Sequence, residues 1–166
     1  MAKIQLKENE VHTIGELPSV GEKVKDFVLV KNDLSRVSLS DFMGKRLVFN
    51  IFPSIETRVC AASVRQFNKL AVNLGNTLVL CVSRDLPFAL NRFCGAEGIE
   101  NVITLSDFDK GEFGRNYGLE ILDGAFKGLL SRAVIVTNEE GKVIYNEQVP
   151  DISMEPDYNK ALESLK

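Results

Sequence analysis

The chain has 166 residues, of which 45% are apolar and 26% are charged, a composition typical of a globular protein and far from that of a disordered or collagen-like chain. Its length corresponds to about one domain, so we expect residues 1–166 to form a single domain. With 20 Lys and Arg against 23 Asp and Glu the formal net charge is −3, which gives no electrostatic reason to expect nucleic acid or an anionic membrane as a partner.

The first predicted element is an N-terminal β-hairpin. Ile4 and Leu6 alternate with polar residues, Lys7–Glu10 can form a turn, and Val11–Ile14 supply a second strand. The only histidine of the chain, His12, falls in that second strand, where we expect a structural role and not a catalytic one.

Apolar runs predict the strands of the remaining chain, and these runs are Phe27–Val30, Leu47–Phe52, Leu78–Val82 and Ala133–Thr137. The last three runs are almost continuously apolar and rich in β-branched residues, which is typical of central strands covered on both faces. The turn residues Asn138–Gly141 predict an antiparallel hairpin that joins the last run to Lys142–Asn146.

Helical patterns lie between the predicted strands. One helix face carries Cys60, Val64, Phe67, Ala71 and Leu74, and Gly75 ends that helix. Further helical segments are predicted at Ser40–Gly44 (a brief turn), Pro87–Cys94 (ending near Gly95), Phe108–Tyr117 and Pro156–Leu165. This alternation of strands and helices predicts an α/β protein with a sheet flanked by helices.

The cysteines and the N-terminus indicate the compartment. The three cysteines, Cys60, Cys81 and Cys94, include no C-x-x-C pair, which argues against a zinc knuckle and a dithiol redox loop. Three is an odd number, which argues against a secreted disulfide scaffold. The first ten residues are too charged for a signal peptide, and no apolar run is long enough to span a bilayer. We therefore expect a cytoplasmic protein.

The turn between the strand ending at Phe52 and the helix starting near Cys60 carries the most chemical information. Pro53 prevents the strand from continuing and places Cys60 in the first helical turn, where unpaired N–H groups and the helix dipole stabilise a thiolate. Thr57 can cap the helix and bring its hydroxyl near the thiol, and Arg58 adds a cation. A reactive cysteine is predicted, with a buried structural cysteine as the alternative.

The segment Asn50–Asn68 resembles bacterial thiol peroxidases, the Tpx subfamily of peroxiredoxins. The resemblance covers nearly the whole chain, since it continues through Asp85–Ala89, Asn91–Gly98, Lys127–Val136 and Glu155–Leu162. It implies a thioredoxin fold of the peroxiredoxin type, with a central mixed β-sheet flanked by helices and an N-terminal β-hairpin. The chain departs from the family at Glu56, where Asp is common, and at Arg58, where a small residue or proline is common.

The resemblance also implies roles for individual residues. The family motif P-x-x-x-(T/S)-x-x-C falls on Pro53, Thr57 and Cys60. Cys60 would be the peroxidatic nucleophile, Thr57 would hydrogen-bond the peroxide and the thiolate, and Pro53 would shield the site from water. Arg132 would supply a cation to the thiolate and to the leaving oxygen. Cys94 would be the resolving cysteine, which forms an intrachain disulfide with Cys60.

The implied activity is reduction of hydrogen peroxide and organic hydroperoxides, with recycling by thioredoxin or a similar dithiol. The resemblance also implies a homodimer and no metal, haem or flavin cofactor, because thiols supply the electrons. A disulfide needs Cα atoms within about 7 Å, and both Cys60 and Cys94 fall in helical patterns. We therefore predict that oxidation unwinds the helix start at Cys60, the segment around Cys94, or both. Cys81, inside a predicted strand, is expected to be an inert core thiol.

Two other functions compete with this interpretation. A peroxide sensor or redox relay would use the same Cys60 chemistry and stays open on the sequence alone. A thiol–disulfide oxidoreductase of the thioredoxin type is disfavoured, because the chain has no C-x-x-C pair and no proline between residues 88 and 149, where thioredoxins carry a cis-proline.

Overall fold

A seven-stranded mixed β-sheet forms the centre of the protein, and helices pack on both of its faces. The computed structural model describes all 166 residues. The strands, in chain order, are β1 (Lys3–Leu6), β2 (Asn9–His12), β3 (Val28–Lys31), β4 (Arg36–Ser38), β5 (Arg46–Ile51), β6 (Thr77–Ser83), β7 (Ile103–Ser106), β8 (Ala133–Thr137) and β9 (Val143–Gln148). The helices are α1 (Arg58–Ala71), α2 (Pro87–Glu97), α3 (Glu112–Asn116) and α4 (Tyr158–Glu163), with a 3₁₀ turn at Leu39–Phe42.

The strand order in the sheet is β4-β3-β7-β6-β5-β8-β9. Strands β5, β6 and β7 are parallel, whereas β8 and β9 add an antiparallel hairpin beside β5, and β3 and β4 add another beside β7. The three runs predicted as central strands became β5, β6 and β8, which lie side by side in the middle of the sheet. The predicted mixed sheet flanked by helices is confirmed.

Strand β5 shows how the sheet divides the core into two layers. Phe49 and Ile51 face a layer rich in aromatic rings, where Phe113 and Tyr117 of the α3 region lie with ring centroids 4.3 Å apart. Val48 faces the opposite layer, which α1, α2 and α4 cover. This alternation follows from the two-residue period of a strand. It places α1, with Cys60 at its beginning, against the second layer.

The predicted N-terminal hairpin is confirmed, with β1 and β2 antiparallel and separate from the main sheet, but its turn is shorter than predicted, because Asn9 and Glu10 already belong to β2, which ends at His12. Gln5 docks it onto the C-terminal segment: the Gln5 N–H donates to the Pro150 carbonyl at 2.7 Å, and the Ile152 N–H donates to the Gln5 carbonyl at 2.8 Å. His12 Nδ1 lies 2.7 Å from Asp123 Oδ2, and this hydrogen bond holds the pKa of the Asp123 carboxyl below its usual range. His12 thus has the structural surroundings that the sequence predicted.

The structure corrects several predicted helix boundaries. Helix α1 ends at Ala71, before the predicted end at Gly75, and α4 is shorter than the predicted segment at both ends. Helix α2 continues through Gly95 to Glu97, because Gly98 is the residue that adopts the left-handed conformation, with φ of 64°, that ends a helix. Helix α3 occupies only Glu112–Asn116 of the predicted segment, since Gly111, with φ of 69°, precedes it as the N-cap.

None of the helices has the length and apolar character that a membrane-spanning helix requires.

Candidate active site

Cys60 lies in the first turn of α1, the helix that follows the buried strand β5 after the loop 52–57. Pro53 is buried in the connecting loop, and Thr57 is the N-cap of the helix. The Thr57 Oγ1 accepts a hydrogen bond from the Cys60 backbone N–H at 3.3 Å. The accepted bond uses a lone pair of that oxygen and not its hydrogen, so the hydroxyl hydrogen of Thr57 can donate to another group. The side chain of Cys60 is fully buried.

Arg132 reaches the thiol from the neighbouring strand. It directly precedes β8, which is antiparallel to β5, and its Nη2 donates to the Cys60 Sγ at 3.2 Å. Its Nε donates to the Ile152 carbonyl at 2.8 Å, which fixes the plane of the guanidinium. The side chain is 2% exposed, and its Nη1 has no hydrogen-bond partner. The site thus holds a buried cation against the thiol and a donor that is not yet used.

A pocket of about 270 Å³ lies beside these groups, although the buried Cys60 does not itself line it. Thr57 and Arg132 form part of its wall, and the hairpin contributes Leu6 and Lys7. A larger cavity of about 670 Å³, lined by acidic residues such as Glu147 and Asp157, contains none of the predicted site residues. The chain has no group of three His, Cys, Asp or Glu residues positioned to hold a metal ion.

Asp85 fixes the loop that carries Pro53 and Thr57, a role that the sequence analysis missed. Its carboxylate accepts hydrogen bonds from the Ser54 hydroxyl at 2.8 Å and from the Ile55 N–H at 2.7 Å. Asp85 follows β6, which runs parallel to β5, so the two strand ends meet at one edge of the sheet. A polar residue just after the predicted strand Leu78–Val82 was the available signal.

A second group of polar contacts joins α1 to the central strand β5. The buried Asn50 of β5 donates through Nδ2 to the Ser63 hydroxyl at 3.2 Å, and Ser63 donates to the Cys60 carbonyl at 2.7 Å. The same Nδ2 lies 3.6 Å from the sulfur of Cys81. This chain of contacts connects the central strand to the backbone of the cysteine.

Cys81 has the core position expected from its strand. It is fully buried, and burial raises the pKa of its thiol to about 12. At neutral pH it is therefore a thiol and not a thiolate.

Cys94 is not brought to Cys60 in this structure. All three cysteines are free thiols, and Cys94 lies half-buried in α2 with its Sγ 3.6 Å from Thr104 Oγ1. It lines a different cavity, of about 290 Å³. A bond between the two sulfurs therefore requires movement of α1, α2 or both.

Two ion pairs link the α1 region to α2 on either side of Cys94. Arg65 of α1 makes a two-pronged contact with Glu97, at 2.7 and 3.2 Å, and Glu56 of the active-site loop pairs with Arg92. The Arg65 guanidinium also lies over the ring of Phe93, 5.6 Å from its centroid. Movement of the α2 segment has to separate these pairs.

Comparison with known proteins gives consistent matches. The sequence profile described as Redoxin matches residues 19–162. The chain is 54% identical to a thiol peroxidase of Corynebacterium glutamicum and 51% identical to a thiol peroxidase of Mycobacterium bovis, in each case over 99% of both chains. The crystal structure of a peroxiredoxin-like protein from Aquifex aeolicus superposes with a TM-score of 0.94 at 35% identity, covering 99% of this chain and 96% of that one.

Proposed function

The chain belongs to the Redoxin family and is a thiol-dependent peroxidase with the peroxiredoxin-type fold, and from this premise we propose that Cys60 is its peroxidatic residue. The observation that carries the proposal is the hydrogen bond of 3.2 Å from the buried Arg132 guanidinium to the Cys60 sulfur. A buried cation beside a thiol at a helix N-terminus favours the thiolate, which is the nucleophilic form.

The first step is attack of the Cys60 thiolate on the terminal oxygen of the peroxide. The S–O bond forms as the O–O bond breaks, Cys60 becomes a sulfenic acid, and the other oxygen leaves as water or an alcohol after it takes up a proton. The free N–H of Arg132 and the hydroxyl of Thr57 are the donors placed to stabilise the charge that develops on the oxygens. Pro53, buried in the loop, limits access of water.

The second step is attack of the Cys94 sulfur on the sulfenic sulfur of Cys60. The S–S bond forms as the S–O bond of the sulfenic acid breaks, and the hydroxyl group leaves as water with the proton of the Cys94 thiol. The positions of the two cysteines support a local unwinding before this step, because each lies in an intact helix. The disulfide closes a loop of 35 residues (94 − 60 + 1). The lost conformational entropy raises the free energy of the unfolded chain by roughly 4 kcal/mol. Unwinding also exposes the disulfide to a reductant.

For the complete cycle we infer thioredoxin or a similar dithiol as the reductant, a homodimeric assembly and a cytoplasmic location, with residues 1–166 acting as one domain. The cytoplasmic location is supported by the three cysteines, an odd number without a C-x-x-C pair, which argues against a secreted disulfide scaffold.

The test is continuous turnover. Hydrogen peroxide and cumene hydroperoxide are tested in separate assays, each of which contains thioredoxin, thioredoxin reductase and NADPH. We expect many turnovers per wild-type molecule, none for Cys60→Ser, and wild-type turnover for the control Cys81→Ala. A single turnover that stops with full reductant present contradicts the enzyme and favours a relay to another partner.

A further inference from the structure

The pocket beside the candidate active site is lined by Thr57 and Arg132, the two side chains that contact Cys60, and combines an apolar wall with unpaired cations. Its apolar surface comes mainly from Leu6, Val59, Phe126 and Ile152. The charged residues that line it are Lys7, Arg58 and Arg132, and no Asp or Glu lines it. Its volume of about 270 Å³ is several times the share of about 30 Å³ that one water molecule occupies in the liquid, so hydrogen peroxide alone leaves most of it unfilled.

Arg58 is a cation without a carboxylate partner. It is the first residue of α1, is exposed, and makes no salt bridge, because the adjacent Glu56 pairs with Arg92 of α2 instead. Arg132, by contrast, is committed to the Cys60 sulfur and the Ile152 carbonyl. The pocket wall therefore holds a buried guanidinium, Arg132, bonded to the sulfur of Cys60, and an exposed guanidinium, Arg58, which we call the charged rim.

Lys7 extends the charged rim from the other side. Lys7 lies at the tip of the N-terminal hairpin, with a φ of 58°. The hairpin pairs through Gln5 with the segment 150–152, and the Ile152 carbonyl of that segment also accepts the bond from Arg132. The Asp151 carboxylate accepts the backbone N–H of Lys7 at 3.3 Å and shorter bonds from the N–H and hydroxyl of Ser153. The Ser153 bonds are the main cause of the lowered pKa of Asp151, and the charge of Lys7 is a minor one. No salt bridge joins the ammonium of Lys7 to Asp151.

We propose that this pocket selects organic hydroperoxides that carry a carboxylate. The apolar wall takes the hydrocarbon part, while Arg58 and Lys7 bind the carboxylate as the hydroperoxide reaches Cys60. The inference rests on the proposed function, since it assigns a substrate class to the same site. It also gives a role to Arg58, one of the two positions at which the chain departs from the family pattern.

The test compares two substrates that share one hydrocarbon chain and one hydroperoxide group, and of which only the first is charged: 6-hydroperoxyhexanoate and its methyl ester. The quantity measured is the ratio of their kcat/KM values, because a general loss of activity cancels in that ratio. At an ionic strength of ~0.02 M we expect wild type to favour the carboxylate by about fivefold, and we expect salt to reduce the ratio. The ratio should fall about two- to threefold in Arg58→Gln and in Lys7→Gln, and Arg58→Lys should retain most of it.

The matched control is Lys69→Gln, which removes one positive charge from an exposed position near the other end of α1 and should leave the ratio unchanged. The proposed selectivity is overturned if the wild-type ratio is near one, or if Lys69→Gln lowers the ratio as much as Arg58→Gln does. In either case, turnover of the ester still supports the peroxidase activity. Absence of Cys60-dependent turnover with both substrates and with hydrogen peroxide overturns the proposed function itself.

Discussion

Arg132 and Cys60 are 72 positions apart in the sequence, yet Nη2 of Arg132 lies 3.2 Å from Sγ of Cys60. The antiparallel pairing of β5 with β8 places Ile51 opposite Ala133, so Arg132, which directly precedes Ala133, lies at the end of β5 from which the chain leads into α1 and Cys60. The sheet register therefore sets the electrostatic surroundings of the thiol.

Replacement of Arg132 by Gln is expected to slow oxidation of Cys60 by about 10²- to 10³-fold, the range for loss of one preorganised donor at a reacting centre. Lys keeps the charge but cannot contact both the sulfur and the Ile152 carbonyl in one plane, so Arg132→Lys should recover only part of the rate. The rate constant is measured by stopped flow in a Cys94→Ser background, with circular dichroism as the check on folding. Folded Arg132→Gln protein that reacts within about twofold of its parent contradicts this role.

The Asn50–Ser63–Cys60 contacts predict that Ser63 stabilises the protein more than an ordinary helical serine does. Ser63→Ala leaves the Cys60 carbonyl and the buried Asn50 amide without this partner, and we expect the free energy of unfolding to fall by about 1–3 kcal/mol. Ser164 is the matched control, because it also donates to a carbonyl three residues earlier, that of Ala161, but is half-buried and bonds no second side chain. Urea denaturation that gives equal losses for Ser63→Ala and Ser164→Ala argues against the network.

The pKa of Cys81 predicts a pH profile for its reactivity. Burial raises this pKa to about 12, so the thiolate fraction of Cys81 at pH 8 is about 10⁻⁴, against roughly a quarter for an ordinary thiol with a pKa of about 8.5. Since a raised pKa moves thiolate formation to higher pH, iodoacetamide should leave Cys81 unmodified in native protein up to about pH 10. Peptide mapping after alkylation provides the measurement, and denatured protein gives the fully reactive reference. Labelling of Cys81 at pH 8 as fast as that of Cys94 would refute its assignment as a core thiol.

The ion pair between Arg65 and Glu97 is predicted to restrain the movement that brings Cys94 to Cys60. Arg65→Gln should therefore speed disulfide formation after Cys60 is oxidised, by about two- to fivefold at low salt. The control is Arg36→Gln, which removes a pair of similar exposure with Asp109 at 2.7 Å, on the far edge of the sheet. Equal disulfide rates in wild type and Arg65→Gln show that this pair does not restrain α2.

Local sequence patterns predicted most of the fold, because most elements carry either a continuous apolar run or a periodic apolar pattern. The continuous runs in β5, β6 and β8 could be assigned without knowledge of their partners. Strands β4 and β7 gave no such signal: the first has three residues at the sheet edge, and the second alternates with polar residues over only four.

The site was predictable only where it is local. Thr57 and Cys60 are three residues apart, so capping geometry alone indicated their proximity. Arg132 came from the family resemblance, since its contact with Cys60 depends on the register between β5 and β8. The tethering role of Asp85 and the free charge of Arg58 depend on contacts between different segments of the chain, which spacing along the sequence does not specify.

The roles of Cys60 and Cys94 are separated by the intact mass after one equivalent of hydrogen peroxide, with peptide mapping, on wild type and on Cys94→Ser. We predict a loss of ~2 Da in wild type, mapped to a Cys60–Cys94 disulfide, and a gain of ~16 Da on Cys60 in the variant. Unmodified Cys60 in both proteins would contradict the assignment of Cys60 as the peroxidatic residue. A sulfenic acid on Cys60 in wild type without the disulfide would contradict the assignment of Cys94 as the resolving residue.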